Sequence, residues 1–351
     1  MSLIPKKGTV YVVDDDEAVR DSLQWLLEGK DYRVRCFESA EAFLSRYPAL
    51  RYIGVDADPG IQAKAKARLA RFGDRISYRL GYFDEVLLEL TLEAGLGRES
   101  EPRGEASAAS PAPRPDLVLF DLGVSMHHFV EAGRGFSYAP APGADEPLDM
   151  RLSPDAPRSA ADILATEREE EIARIIFEYG EERLSRRIAR AIVEARRAGG
   201  IATSGRLAEV VRAAVPPAYR NGRIHPATRT FQALRIAVND ELGRAERGIG
   251  LAAALLAPGG TIAAISFHSL EDRIVKTAFR RLAGKLPGGA EGSIPAAKSP
   301  IPQMTGEAAF ELVTKKPIEP SGEEVARNPA SRSAKLRVAR KRGPGAEKVE
   351  A

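Results

Sequence analysis

The amino-acid sequence predicts a doubly wound α/β fold interrupted by a helical block, and three observations carry that expectation. Short β-branched runs alternate with amphipathic stretches in the first third of the chain, a βαβαβα order that calls for a parallel sheet with helices on both faces. From about 159 to 215 the text turns helical, with a basic face along "RLSRRIARAIVEARR". Strand language then resumes at "GGTIAAISF" (259–267). There is no internal repeat.

The elements can be taken in order. Val10 to Val13 form a β-branched strand ending in Asp14, Asp15 and Asp16, and Val19, Leu23, Leu26 and Leu27 mark one face of the helix that follows. Gly29 ends that helix, "YRVRCF" reads as a second strand, and 41–47 as a short helix. "RYIGVDADPGI" (51–61) is a third strand ending in Asp56 and Asp58. Asp58 with Pro59 makes a helix cap and first turn, Ile61, Ala65, Leu69 and Phe72 line one face, and Gly73 stops the helix. Residues 95–115 are Gly, Ser, Ala, Pro and charge, and read as a loop. "DLVLFDLGVS" is a buried strand with Asp121 at its carboxyl end. Thr166 and Glu169 have capping-box spacing ahead of Ile172, Ile175 and Ile176.

Composition narrows the function. The 351 residues are 44% hydrophobic and 29% charged, ordinary for a globular protein of two or three domains. The start lacks a secretory apolar core and no run approaches the roughly 18 apolar residues of a spanning helix, so the expectation is a cytoplasmic protein with no membrane partner. One cysteine, Cys36, excludes an internal disulfide, and four histidines leave little for zinc. The net charge of +3 implies no partner by itself. "RSAKLRVARKR" (332–342), however, concentrates basic residues in a C-terminal stretch that reads either as a solvated tail or as a phosphate-contacting arm.

Four stretches are more specific: "FDLGVS" (120–125), "RGFSY" with "PLDMRL" (134–152), "HPATRTFQALRIAVNDEL" (225–242) and "ISFHSLEDRIVK" (265–276). With "YGEERLSRRIARAIV" and "NPASRSAKLRV", they resemble the ribosomal RNA small subunit methyltransferase H family from about Arg51 to Arg340. The resemblance implies a Rossmann-like methyltransferase domain (51–139 and 223–310), an inserted helical domain (140–222) and a basic C-terminal tail (311–351). It implies transfer of a methyl group from S-adenosylmethionine to the exocyclic N4 of a cytidine in 16S ribosomal RNA, with the small ribosomal subunit as partner. Carried over residue by residue, cofactor contacts fall on Asp56 (ribose), Phe83 in "LGYFDE" (adenine), Asp121 and His128. At His128 the chain reads "SMHHF" where the family usually has a Ser-x-Gln-like stretch.

The chemistry shows why such residues are wanted. A cytosine amine is a poor nucleophile because its lone pair is delocalised into the ring, so the site must hold it in line with the methyl donor and accept its hydrogen bonds. Asp121 is the first candidate for that acceptor and base. The base must also leave its stack to reach the donor. His268 in "SFHSLEDR" either lines the same pocket or is a loop histidine bonded to backbone. Arg229 and Arg235 are candidates for RNA phosphate, each with a structural salt bridge as its alternative, and Arg337 of the basic C-terminal stretch is a third.

The family normally opens with a first strand and a glycine-rich loop against the methionine part of the cofactor. That loop is missing. Residues 8–47 instead resemble the start of a FixJ-type response-regulator receiver domain, through "VYVVDDDEAVRDSLQWLL" and "YRVRCFESAEAFL". In receivers the acidic cluster, here Asp14 and Asp15, binds Mg²⁺. Residues 1–50 are thus expected to be a receiver-like (flavodoxin-like) fragment supplying the first strands of one continuous sheet. The alternatives to a methyltransferase are a phosphorylatable signalling module and a catalytically inactive RNA-binding chimera.

Overall fold

The computed structural model describes residues 9–13, 24, 33–39, 42, 45–47, 49–96, 114–138, 145–220, 222, 224–285 and 309–343. Two strands open it, β1 (Thr9–Val13) and β2 (Arg33–Phe37). Then come β3 (Tyr52–Asp56), α1 (Pro59–Leu69), β4 (Ile76–Leu80), α2 (Phe83–Glu93), β5 (Leu117–Asp121) and α3 (Met126–Val130). A helical run follows: α4 (Ala160–Thr166), α5 (Glu169–Gly180), α6 (Ser185–Arg197), α7 (Ser204–Ala214), α8 (Pro217–Arg220), α9 (Thr228–Asn239) and α10 (Glu241–Leu255). The chain ends with β6 (Thr261–Ser266), α11 (Ser269–Leu282), β7 (Phe310–Leu312), α12 (Gly322–Arg327) and β8 (Lys335–Lys341). Among the described residues no helix is long and apolar enough to cross a membrane.

The architecture is mixed α/β, but the single parallel sheet expected from sequence is not what forms. Among the described residues β1 pairs with β2, β3 with β4, and a third sheet runs β5-β6-β8-β7. Its β5-β6 pair is parallel, while β8 runs antiparallel to both β6 and β7. No ladder among the described residues joins the three sheets, so β1 does not extend the sheet that holds β3 or β5. Ile53 of β3 and Leu117 and Leu119 of β5 remain exposed, whereas Phe120, on the other face of β5, is buried against α10.

Two apolar cores organise the rest. One belongs to the helical run: Ile172, Ile175 and Ile176 of α5 meet Ile188, Ile192 and Val193 of α6, at the three- and four-residue spacings that make one helix face. Each such side chain contributes about 1.5–3 kcal/mol when fully buried. This core reaches beyond 140–222, taking in Phe136 on one side and Phe231 and Leu234 of α9 on the other. The other core lies between α2, α10, α11 and the β5–β6 sheet, around Phe120, Ile249, Ile262, Val275 and Phe279.

Two local expectations are corrected. Thr166 is the last residue of α4, not a cap for α5, because its hydroxyl donates to the Asp162 carbonyl and accepts from Arg158. The capping box sits one helix earlier, where Ser159 and Asp162 bond reciprocally. Residues 311–343 are not a tail either. β8 lies between β6 and β7, and its Arg337 and Ala339 are buried because that face of the strand packs inward.

Candidate functional site

The carboxyl ends of β3 and β5 carry the acids expected there, Asp56 and Asp121. Asp56 Oδ1 accepts the Asp58 backbone N–H at 2.7 Å, which turns the chain into α1. Burial, and then the neighbouring Asp58 charge, raise the Asp56 pKa against that hydrogen bond. Asp58 caps α1 as predicted, Oδ1 accepting from the Gly60 and Ile61 N–H groups with Pro59 in the first turn.

The second oxygen of Asp58 explains how β3 and β5 are held together without a ladder. It accepts from Arg134 and lies 3.2 Å from His128 Nε2, both across long stretches of chain. His128 Nδ1 takes the Ser125 N–H at 3.1 Å, so the proton sits on Nε2 and the ring donates to Asp58. Burial lowers the His128 pKa despite the nearby carboxylate, and favours this neutral form. Arg134 also donates to the Arg151 and Leu152 carbonyls at 2.8 and 3.0 Å, tying "RGFSY" to "PLDMRL". Gly135 sits at φ +72°, where a Cβ would meet the Pro147 carbonyl oxygen at 2.3 Å. His128, expected from sequence to touch a cofactor, is thus a buried brace between two loops.

Phe83 begins α2 and is partly buried, edge-on to Phe120 with centroids 5.5 Å apart. Gly248 of α10 leaves room for the ring: a Cβ there would lie 2.6 Å from Phe83 Cε2. Asp84 fixes the same turn through Arg244 and Arg247 of α10, at 2.6 and 3.0 Å. Arg244 in turn lies 3.5 Å from the centre of the Tyr82 ring.

Asp121 is exposed at its strand end, yet enough protein crowds its carboxyl that burial, followed by the Glu271 charge, raises its pKa. Glu271 was not singled out in the sequence reading. It is buried with 2% exposure, and its Oε2 accepts the Phe267 N–H at 2.8 Å. His268 is the N-cap of α11: its Nδ1 accepts from the Glu271 N–H at 3.4 Å, while its Nε2 stands 3.1 Å from Glu271 Oε1. Burial works against a charged Glu271, but His268 and the Phe267 N–H outweigh it and lower its pKa. The His-Ser-Leu-Glu spacing is that of a capping box, a signal the sequence already contained.

Of the three arginines expected at RNA, two are committed inside the protein. Arg235 forms a bidentate pair with Glu241 at 2.9 Å on both arms, and Arg337 does the same with Asp272 at 2.7 and 3.1 Å. Such forks consume the planar donor face that would meet phosphate. Arg229 stays half-exposed, donating to the Glu181 carbonyl at 3.2 Å. Among the described residues Glu241, His268 and Glu271 are grouped closely enough to suggest metal ligands, but Arg235 already neutralises Glu241. Asp14 and Asp15, the receiver-type Mg²⁺ acids, lie outside the described residues.

Comparison with known proteins supplies a family for this geometry. Residues 38–342 match the model described as the MraW methylase family. The match begins upstream of Arg51, inside the stretch that also resembles a receiver. A Treponema denticola protein named ribosomal RNA small subunit methyltransferase H is 48% identical over 301 residues, 86% of each chain. Proteins of the same name from Treponema pallidum and Symbiobacterium thermophilum are each 45% identical, covering 86% and 88% of this chain and 80% and 88% of their own.

Proposed function

The chain belongs to the MraW methylase family, and on that premise we propose that it transfers a methyl group from S-adenosylmethionine to the exocyclic N4 of a cytidine in 16S ribosomal RNA. The observation that carries the site assignment is the placement of Asp56 and Asp121 at the carboxyl ends of two strands that Asp58 and His128 brace together. In open α/β sheets ligands bind outside those ends.

The residues present fit the nucleoside part of the cofactor. Asp56 spends one oxygen on the Asp58 N–H, and in this reading the other accepts from a ribose hydroxyl. Phe83, propped by Phe120 and Gly248, offers a partly open ring to adenine. When bound, the group supplies a methyl on a sulfonium sulfur, and the remaining work falls to this chain's side chains. Asp121 accepts a hydrogen bond from the cytidine amine, which restores lone-pair density to the nitrogen, and takes the proton once the new bond has formed. Its raised pKa makes it a stronger base than an ordinary aspartate. Glu271 keeps negative charge near Asp121 while holding the turn that carries His268.

The helical run α4–α9 is read as a lobe inserted into the methyltransferase domain, and the reaction as one of the cytoplasm, on small-subunit RNA. A signalling function is not favoured, since the family match covers 38–342 and the receiver resemblance only the start. The test is incubation with labelled S-adenosylmethionine and unmethylated small-subunit RNA, followed by digestion to nucleosides. N4-methylcytidine is expected; label on another nucleoside, or none, overturns the reading.

A further inference from the structure

An open groove of about 1020 Å³ runs between the end of α5, α8 and the start of α11, lined by Phe177, Arg183, Tyr219, Arg229 and Arg273 among others. Its position matters first. Glu181 on its wall accepts from the Ser269 hydroxyl at 3.0 Å and from Arg273 at 3.1 Å, and Ser269 directly follows His268. The groove therefore opens beside the turn that faces Asp121.

Its surface chemistry is the second observation. Phe177 is 58% exposed on a helix whose isoleucines are buried, so the ring projects into the groove side rather than the core. The acids at the rim are already paired: Glu178 takes Arg174, and Glu181 takes Arg273. Just beyond, Arg183 precedes α6 while Arg186, Arg187 and Arg190 follow three, four and seven positions on, all exposed. Among the described residues Arg183, Arg186 and Arg187 have no carboxylate in ion-pair reach, and Arg190 is 3.6 Å from Glu169. Glu194 is the one acid further along this face. Like charges at such spacings repel one another on a helix, so the ridge weakens the isolated fold unless a polyanion covers it.

We infer that this groove and ridge hold the RNA strand flanking the target cytidine, phosphates against Arg183, Arg186, Arg187 and Arg190 and one base stacked on Phe177. An exposed aromatic ring beside a row of exposed cations suits single-stranded nucleic acid, since every base has a stacking face and every linkage a charge. The inference rests on the proposed RNA substrate and adds where that substrate lies.

The test measures binding of transcribed small-subunit RNA to the full chain over a range of salt concentrations. Replacing Arg183, Arg186 and Arg187 together by Ala is expected to weaken binding at least tenfold and to make the log–log salt slope shallower by about 2, at roughly 0.7 per lost contact to a single strand. Phe177→Ala is expected to cost about fivefold or more with the slope unchanged. S-adenosylmethionine affinity, read by calorimetry, should not move in either. The control is Lys66→Ala with Arg71→Ala, whose cations lie over Tyr78 and Phe72. If the triple variant binds as the parent does, or the control loses as much, the groove assignment falls while the methyltransferase reading stands. If the parent chain does not bind this RNA at all, both fall.

Discussion

His128 Nε2 faces Asp58 Oδ2 across 3.2 Å inside the protein, although 70 positions separate them in the chain. The ring uses both nitrogens, one to donate to the carboxylate and one to accept the Ser125 N–H. A glutamine can satisfy both roles, with its amide N–H on Asp58 and its carbonyl oxygen on Ser125, whereas alanine satisfies neither. His128→Ala is therefore expected to lose about 1–3 kcal/mol of stability, the cost of stranding buried partners, and His128→Gln less than about half of that. Urea unfolding of the two variants checks it, and equal losses would refute the bracing role.

Acid should weaken the fold in two stages. Burial holds His128 below its ordinary 6.5, so the folded chain binds fewer protons than the unfolded one in that region. The stability it gives is complete above about pH 6.5 and is lost as pH falls through the folded value. Burial opposes ionisation of Asp58 as well, but Arg134 and the Gly60 N–H prevail and hold it below 3.8, so its contribution is lost only in stronger acid. His225, lowered by burial and by Arg212, adds to the first stage. Urea midpoints from pH 4 to 8 should thus fall below pH 6.5, and less steeply in His128→Gln. An unchanged slope in that variant would show that His128 is not the titrating brace.

Asp121 carries the proton transfer in this reading. Asp121→Asn should lower kcat by about 10²–10⁴-fold. In the parent, activity should be lost as pH falls through the Asp121 pKa, at a value above the ordinary 3.8 because of burial and Glu271. Glu271→Gln removes the like charge and should move that acid limb to lower pH. A limb that stays in place in Glu271→Gln means another group titrates.

Cofactor affinity tests the ends of the site separately. Asp56→Ala removes the charged acceptor for ribose and should abolish calorimetrically detectable binding of S-adenosylmethionine. Replacing residues 1–50 with a family-type start that contains the glycine loop should tighten binding at least tenfold, since such a loop offers backbone N–H groups to the methionine end. Equal affinity with and without that replacement would mean that the existing start already serves the methionine end.

Local structure is legible in the sequence where one residue's chemistry settles it. Asp58-Pro59 starts a helix, and the apolar runs at 52–56 and 117–121 are strands with acids at their ends. Distant partners were not legible. Nothing near Arg235 or Arg337 in the chain distinguishes a phosphate contact from a fork onto Glu241 or Asp272, because that choice is made by packing. In 335–341 the many basic residues mask the period-two burial that places Arg337 and Ala339 inward. Continuity of the sheet is not legible for a related reason: β1 and β2 pair with each other, and local pattern does not say which edge a strand will join.

The place of β8 has a consequence for the order in which the chain acquires structure during synthesis. This strand, Lys335–Lys341, fills the position between β6 and β7, and its backbone pairs Thr261 with Arg340. A ribosome that has released everything through α11 has delivered β5 and β6 but not the strand that completes their sheet. The helical core around Ile172, Ile188 and Leu234 can close by then, because its contacts are already outside the tunnel. The methyltransferase sheet must wait, with one side of β6 bare, until residues 335–341 emerge. Since long-range strand pairing is slow, ribosome-bound chains halted ahead of residue 335 should show protease resistance in the helical lobe and cleavage in β5 and β6.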